Sequence, residues 1–520
     1  MASGAMVAAQ RRMVSRRGVI GGCAVALVLL LVGFHFVSTY WPYRYRMVQP
    51  TLQEVFASKI KMAHYRRTYW PHPGFVAEGL TLRRNTAPDL PPVGSVDRVR
   101  VEGSWLDLLL FRNRIVAVYA DGLHVVIPPV GSRANQEDFP AGSSNDFEGP
   151  DTAVGRFVMR NAVLDILRTD GSRYTFPIKQ LVITNLQKNA AVGYSVEMAT
   201  PQAVGQLRAS GSFGPLVGGK LDQTRVTGRF TYEDVKLDGI SDLHGVLTTK
   251  GSFEGNLGGI EGRAEGSVAD FRVGEGKGVG LSGSATGAVD ALNGNIALQG
   301  VDVKVGRTVV HVVGQIVGAP KVTDLEVSVA SGRTQDLLRP FMRAQPPVAG
   351  PVRLHGHAHI AAAEHAEGFL ERFTMKGAFE IPKERLTDSP TEKSLTAFSQ
   401  RAQGVPDEQA AAAADEQDVL SSLVGNVVIA KGVVHGTQLV FVVPGASIEG
   451  SGTFDLASEK VDITGDLRMQ ADLPHATTGF KSFLLKPLAP FFRKKHAGAV
   501  VPVRVTGGPG HYTIGQNVLR

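Results

Sequence analysis

Apolar and polar residues alternate one for one along most of this chain, and that period of two constrains the fold more than any other feature. From Val461 through Asp462, Ile463, Thr464, Gly465, Asp466, Leu467, Arg468 and Met469 to Gln470, odd positions are apolar or glycine and even ones polar. Successive side chains of a strand point to opposite faces, so such a run has one dry and one wet face. The pattern recurs at Leu325, Val327 and Val329 against Asp324, Glu326 and Ser328. It recurs again at Val352, Leu354 and Ile360 against Arg353, His355, His357 and His359, and at Phe373, Met375 and Phe379 against Thr374, Lys376 and Glu380. The spacing predicts on the order of 20 to 25 short, meandering antiparallel strands. Between them stand Asp121-Gly122, Asp170-Gly171, Asp238-Gly239, Gly258-Gly259 and Asn293-Gly294, suited to hairpins that need positive φ.

Glycine supplies 60 of 520 residues, yet no Gly-X-Y period appears and mean hydropathy is +0.00, so neither collagen nor simple disorder fits. One-faced strands in such number must curl round their dry face, pack on a second sheet, or cover that face with something other than protein. A single coiled sheet of about 20 strands at ~4.8 Å each would run on the order of 100 Å; strand number alone is equally compatible with stacked sandwiches.

The net charge of +7 is unevenly placed. Residues 1–70 carry ten lysines and arginines against one acid, Glu54, and the remainder carries 45 bases and 47 acids. A near-neutral body with a basic N-terminus points to a membrane surface and away from nucleic acid. Gly18 to Val37 holds no acidic or basic residue apart from His35 and is long enough to cross a bilayer as a helix. Arg11, Arg12, Arg16 and Arg17 precede it. Tyr40, Trp41, Tyr43 and Tyr45 follow as an interfacial belt, with Arg44 and Arg46 beside them, so the flanks favour a cytoplasmic N-terminus and an exported body. A cleaved signal peptide would want a small-x-small site that Ser38 to Trp41 does not offer; Ser15-Arg16-Arg17 is read as a topology determinant rather than a twin-arginine signal. The single Cys23 sits inside the apolar run as an inert thiol and excludes an intrachain disulfide framework.

Leu52, Val55, Phe56, Ile60 and Met62 fall at helical spacing, which predicts a short juxtamembrane helix over 50–67. Thr391 to Gln403 reads as a helix with Ser389 as its cap, and Val405 to Asp418 as an alanine- and acid-rich linker. Phe480, Phe483, Leu484, Leu488, Phe491 and Phe492, mixed with Lys481, Lys486, Arg493, Lys494 and Lys495, form a basic amphipathic patch. It suits capping the open end of the β-body or contact with lipid or a partner.

The C-terminal residues carry a resemblance. Ser399-Gln-Arg-Ala-Gln-Gly, Val419-Leu-Ser-Ser-Leu with Gly425, Val443-Pro-Gly-Ala with Gly450 to Leu456, Thr477-Thr-Gly-Phe-Lys-Ser-Phe-Leu-Leu-Lys-Pro and Val501-Pro-Val-Arg-Val-Thr-Gly resemble the C-terminal region of AsmA-like proteins over about 140 residues. From about 71 to 370 the similarity is of pattern, and Tyr512 to Arg520 departs from the usual ending. The resemblance implies an inner-membrane anchor, a periplasmic body of repeated strands curved into a groove with an apolar lining, and a role in outer-membrane lipid homeostasis, the larger members resembling bridge-like lipid transfer proteins.

Catalytic signals are weak. His355, His357 and His359 share a strand face on which alternate histidines could chelate a metal, but a wet face beside Arg353 is the plainer reading. Gly274, Gly276, Gly278 and Gly280 read as a hairpin, because no strand-to-helix switch follows them as a dinucleotide site requires.

The expected fold is therefore mainly β: an N-terminal transmembrane helix, then an elongated, curved antiparallel β-sheet forming a groove, with a short helical insertion and a C-terminal amphipathic cap. The expected divisions are a cytoplasmic basic tail 1–17, transmembrane helix 18–40, juxtamembrane segment 41–70, repetitive β-groove 71–380, helical insertion and linker 381–424, and AsmA-like C-terminal β region 425–520. The expected function is that of an inner-membrane-anchored periplasmic protein that binds or conducts phospholipid acyl chains and supports envelope biogenesis, without catalysis, cofactor, metal or nucleic acid. Groove candidates are Leu325, Val327, Val329, Phe373, Met375, Val461, Ile463, Leu467 and Met469. Membrane-surface candidates are Trp41, Arg44, Arg46, Phe480, Phe483, Lys494 and Lys495. Partners are membrane phospholipids, with envelope proteins as a second class. The alternative is a membrane-tethered scaffold or assembly factor for outer-membrane proteins without lipid transport.

Overall fold

The computed structural model describes residues 43–516 apart from 56–57, 85–91, 111, 113, 130–131, 135–152, 168–172, 188–189, 201–203, 216–220, 240–241, 292, 319–320, 363–366, 417–418, 470–499 and 510. Among the described residues the chain forms 24 strands: β1 (Ser58–Thr68), β2 (Gly74–Arg84), β3 (Gly94–Glu102), β4 (Arg114–Ile127), β5 (Ala153–Leu167), β6 (Arg173–Leu186), β7 (Val192–Ala199), β8 (Gln206–Phe213), β9 (Arg225–Lys236), β10 (Leu243–Asn256), β11 (Gly259–Val273), β12 (Val279–Val289), β13 (Ile296–Val305), β14 (Thr308–Val317), β15 (Val322–Arg333), β16 (Val348–Ala349), β17 (Pro351–Ile360), β18 (Phe373–Leu386), β19 (Ser421–Ala430), β20 (Val433–Val443), β21 (Ala446–Asp455), β22 (Lys460–Met469), β23 (Val500–Gly508) and β24 (His511–Gln516). They make one long, curved sheet.

Each strand pairs with the next in sequence, except that β15 passes over the two-residue β16 to pair with β17, while β16 joins the end of β18. All pairs are antiparallel but one. β4 and β5 run parallel, Tyr119 opposite Val158 and Val125 opposite Leu164, a departure from the wholly antiparallel meander that the sequence predicts. A parallel pair needs a crossover of a dozen or more residues, which the long connection 128–152 provides. Asp121-Gly122, expected as a turn, lies inside β4, where Gly122 takes φ +67° and is passed over by the pairing on both sides without a change of register. Asn293-Gly294 does turn the chain between β12 and β13, with Gly294 at φ +70°. Asp170-Gly171 lies outside the described residues.

Two packed cores mark the ends of the described sheet. In the first, Val48 of the helix Tyr45–Val55 meets Ile60, Phe75, Leu80, Leu82 and Val96 of β1 to β3. Here the expected helix over 50–67 stops at Val55, and Ser58–Thr68 is a strand. Ten cross-strand partners on β2, with Ile60 and Met62 two apart on one face, outweigh the helical spacing of the same residues. Tyr43 and Tyr45, read as part of a membrane belt, pack on Phe75 and Tyr65 with ring centroids 6.2 and 5.5 Å apart. Burial pushes the Tyr65 phenol up to about 12, and its hydroxyl donates to the Tyr43 carbonyl at 2.5 Å.

The second core lies beneath the helix Ser389–Ala402, whose Leu395, Phe398 and Ala402 cover Val443, Ala446, Leu467, Met469, Val501 and Val503. The cap of this helix is Asp388, which accepts from the Thr391 amide at 3.2 Å; Ser389, expected in that role, is the first helical residue. The alanine-rich stretch expected as a linker is itself helical over Asp407–Glu416, as the high helix propensity of alanine favours. No helix among the described residues is long and apolar enough to cross a membrane. The expected span 18–40, Trp41, and the cap residues Phe480, Phe483, Lys494 and Lys495 lie outside the described residues, whereas Arg44 and exposed Arg46 stand at the start of the Tyr45–Val55 helix.

Candidate functional site

Paired residues traced from strand to strand form a single row along the middle of the sheet. It begins Tyr65, Ala77, Val99, Ala120, Met159, Leu181, Val196 and Ala209. It continues Phe230, Gly251, Ala264, Ala285, Val301, Val312 and Val327. It ends Gly356, Gly377, Val427, Gly436, Gly452, Ile463, Val505 and Ile514. Tyr65 alone carries a polar atom on its side chain. Among the described side chains of the row none is exposed, and those from Leu181 to Val327 are half-buried, while their chain neighbours on the other face are mostly open to water. The two buried cores lie to either side of these strands. Among the described residues neither buried core extends over this half-buried stretch.

The predicted groove residues all fall on this face. Val327 and Ile463 belong to the central row. Leu325 and Val461 belong to the next row, linked through Ala358, Met375, Ile429, Val434 and Phe454. Phe373 is half-buried, and Val329 and Met375 are buried. Leu467 and Met469 share the face but sit beneath the Ser389–Ala402 helix, so protein already covers them.

Glycine sets the shape of the floor. Gly211 faces Gly228, Gly266 faces Gly283, Gly356 faces Gly377 and Gly450 faces Gly465. A Cβ on Gly283 would lie 2.1 Å from the Asp302 carbonyl oxygen, and one on Gly356 would lie 2.5 Å from that of Lys376, so neighbouring backbones close over the missing side chains. Aromatic rings cover others: a Cβ on Gly251 would meet the Phe230 ring at 2.6 Å, and one on Gly228 the Phe253 ring at 2.6 Å.

One residue along each strand, the wet face carries charge. Glu78, Arg98, Asp121 and Arg160 follow one another in register, and ion pairs link Arg98 to Glu78 at 3.4 Å and Arg208 to Glu197 at 3.5 Å. Exposed pairs of this kind stabilise little individually. The three strand histidines stand here too. His359 Nδ1 is 2.6 Å from Asp324 Oδ1, His355 Nε2 is 3.7 Å from Glu326, and no group of three or more ligating side chains among the described residues is arranged to hold a metal ion. His357, His359, Asp324 and Glu326 border a depression of about 560 Å³.

Sequence reasoning missed the groups that hold the bend. The connection 334–347 works as a strap. Asp336 accepts the Arg307 amide at 2.9 Å and the Thr308 hydroxyl at 3.0 Å on the β13–β14 turn, and the Lys277 amide reaches the carbonyl of Met342 at 3.0 Å. Beyond fully buried Met342, the Arg343 guanidinium pairs with Glu275 at 2.7 Å, and Glu459 on the β21–β22 turn accepts the Arg343 and Ala344 amides at 2.5 and 3.1 Å. Asp242, just before β10, accepts the Phe369 amide just before β18. No local pattern marks these residues, because every partner is 28 or more positions away and those of Glu459 and Asp242 are more than 100 away. Asp165 was missed too: buried on β5, it is held below the usual carboxylate range by the Thr175 hydroxyl at 2.6 Å, then by His124 at 2.9 Å and Arg173 at 3.2 Å.

No protein-family model matches this chain, and no curated protein matches it.

Proposed function

We propose that this protein is a membrane-anchored, exported carrier that shelters phospholipid acyl chains along its apolar face, as the resemblance to AsmA-like proteins implies, and that it serves lipid homeostasis of the outer membrane. The observation that carries this reading is the unbroken apolar row from Tyr65 to Ile514, half-open between its two packed ends. A strand face of that composition left to water is unfavourable by ~25 cal/mol per Å² of apolar surface, and an acyl chain gains roughly 0.8 kcal/mol for each CH2 removed from water. Each offsets the other. The work is shielding, with no bond made or broken.

Photocrosslinkers at Val327 and Ile463 in cells, with lipid identified by mass spectrometry after gentle extraction, test the reading. Phospholipid adducts at both positions are the expected result. Bare protein at both, with no lipid carried through purification, would overturn it in favour of a scaffold whose dry face serves shape alone.

A further inference from the structure

Where the strap crosses the ends of β12 and β13, a cavity of about 270 Å³ opens at the rim of the groove. Its lining includes Val279 and Val305 from the dry face, together with Gly278, Gly280, Gly306, Asp336 and Arg339. The floor is continuous with the groove, since Val305 pairs directly with Leu281, two residues from Val279 on the same face. The rim is basic. Lys277 donates its amide to the Arg339 carbonyl at 3.2 Å, Arg307 donates its own to Asp336, and the Arg333 amide bonds at 2.8 Å to the Thr308 hydroxyl, which donates in turn to Asp336. Four exposed basic residues thus have their backbones tied to one patch. Among the described residues none of their side chains meets a carboxylate or any other partner. Of the nearby acids, Asp336 lines the cavity itself, its Oδ2 accepting the Arg307 amide and the Thr308 hydroxyl, whereas Asp270, beside Gly278, is paired with Arg272 and Glu275 with Arg343.

Unpaired cations at the lip of an apolar trough match an amphiphile whose head carries a phosphoryl group. We infer that this rim is a headgroup site, in which Arg339, flanked by Lys277, Arg307 and Arg333, binds the phosphate of a phospholipid whose acyl chains lie over Val279, Leu281 and Val305. The inference rests on the groove reading above and adds the point at which the lipid is gripped. Guanidinium suits the task because its fork of donors matches phosphate oxygens two at a time.

The test places a photocrosslinker at Val279 in the full-length chain in cells, with Val327 as the reference position. Phospholipid adducts are expected at both, and Arg339→Gln should cut the yield at Val279 by about tenfold while leaving Val327 unchanged, the effect of losing one charge-assisted contact. Lys277→Gln should lower it in the same sense, and Arg339→Lys should retain part of it. An undiminished Val279 yield in Arg339→Gln overturns the headgroup site and leaves the groove standing; empty adducts at both positions remove the groove reading with it. Competition on the purified full-length chain separates the sources of phosphate. If glycerol phosphate displaces short-chain phosphatidylglycerol at equal concentration, the site belongs to free phosphoryl compounds and the lipid assignment falls.

Discussion

Glu459 accepts the backbone amide of Arg343, a residue 116 positions before it, at 2.5 Å, and it does so from a site only 5 % exposed. Because the Ala344 amide shares the same carboxylate, Glu459→Ala leaves two amides without their acceptor at a cost of about 1–3 kcal/mol. Hydrogen exchange is expected to quicken across 339–347 while β6 to β9 keep their protection.

The glycine floor gives a paired prediction. A Cβ on Gly283 meets the Asp302 carbonyl at 2.1 Å, whereas the nearest atom to one on Gly262 is 3.8 Å away. Gly283→Ala should force β12 from β13 and cost about 1–3 kcal/mol, with Gly262→Ala near neutral. Thermal unfolding of the two variants side by side checks the contrast.

Glu384 carries a pH dependence. It is 1 % exposed on β18, its Oε2 has no hydrogen-bond partner, and burial, ahead of the neighbouring Glu392 charge, raises its pKa to about 7. The folded state holds this proton more tightly than an unfolded glutamate at 4.5, so its contribution is complete below pH 4.5 and is lost as pH rises through 7. The loss amounts to roughly 3 kcal/mol. Glu392 lies on the Ser389–Ala402 helix and accepts the Leu386 amide at 2.8 Å, so exchange within that helix should accelerate between pH 5 and pH 8, by about these limits. Glu384→Gln should flatten the dependence.

Charge on the dry face should expel lipid. Val327→Lys sets an ammonium in the central row, and co-purifying phospholipid should fall on the order of tenfold, since an unpaired charge against hydrocarbon costs several kcal/mol. Glu326→Lys, one residue along on the wet face, should leave the lipid content unchanged. Quantitative lipid extraction from the two variants reads the difference.

What could be foreseen was set by local pattern. The alternation at Leu325 to Val329 and at Val461 to Met469 assigns each side chain a face, and every groove candidate lies on the face so assigned. Which residue stands opposite which is another matter. The register that joins Val327 to Gly356 and Ile463 to Gly452 depends on hairpin geometry and bulges, such as the shift between Val329 and Gly332, that alternation does not encode. Ile60 and Met62 satisfy helical and strand spacing alike, and only β2 as a partner decides between them. The poly-alanine run shows the opposite failure: its composition suggested a linker although its propensity favoured a helix. Leu467 and Met469 were placed on the right face, but the helix that covers them comes from 65 or more residues earlier.

Pairing almost entirely between strands adjacent in sequence has a consequence for how the molecule assembles. Each hairpin can close as soon as its second strand is available, so the sheet can grow in the order in which the chain is delivered, with little loop entropy to overcome at each step. Three places break that rule, the first being β15, which waits for β17 beyond the short β16. The parallel partner of β4 must wait for the crossover 128–152, and the carboxylate of Glu459 cannot reach Arg343 until β21 and its turn have formed. Growth along this ribbon is therefore local and early, whereas its final curvature is set late.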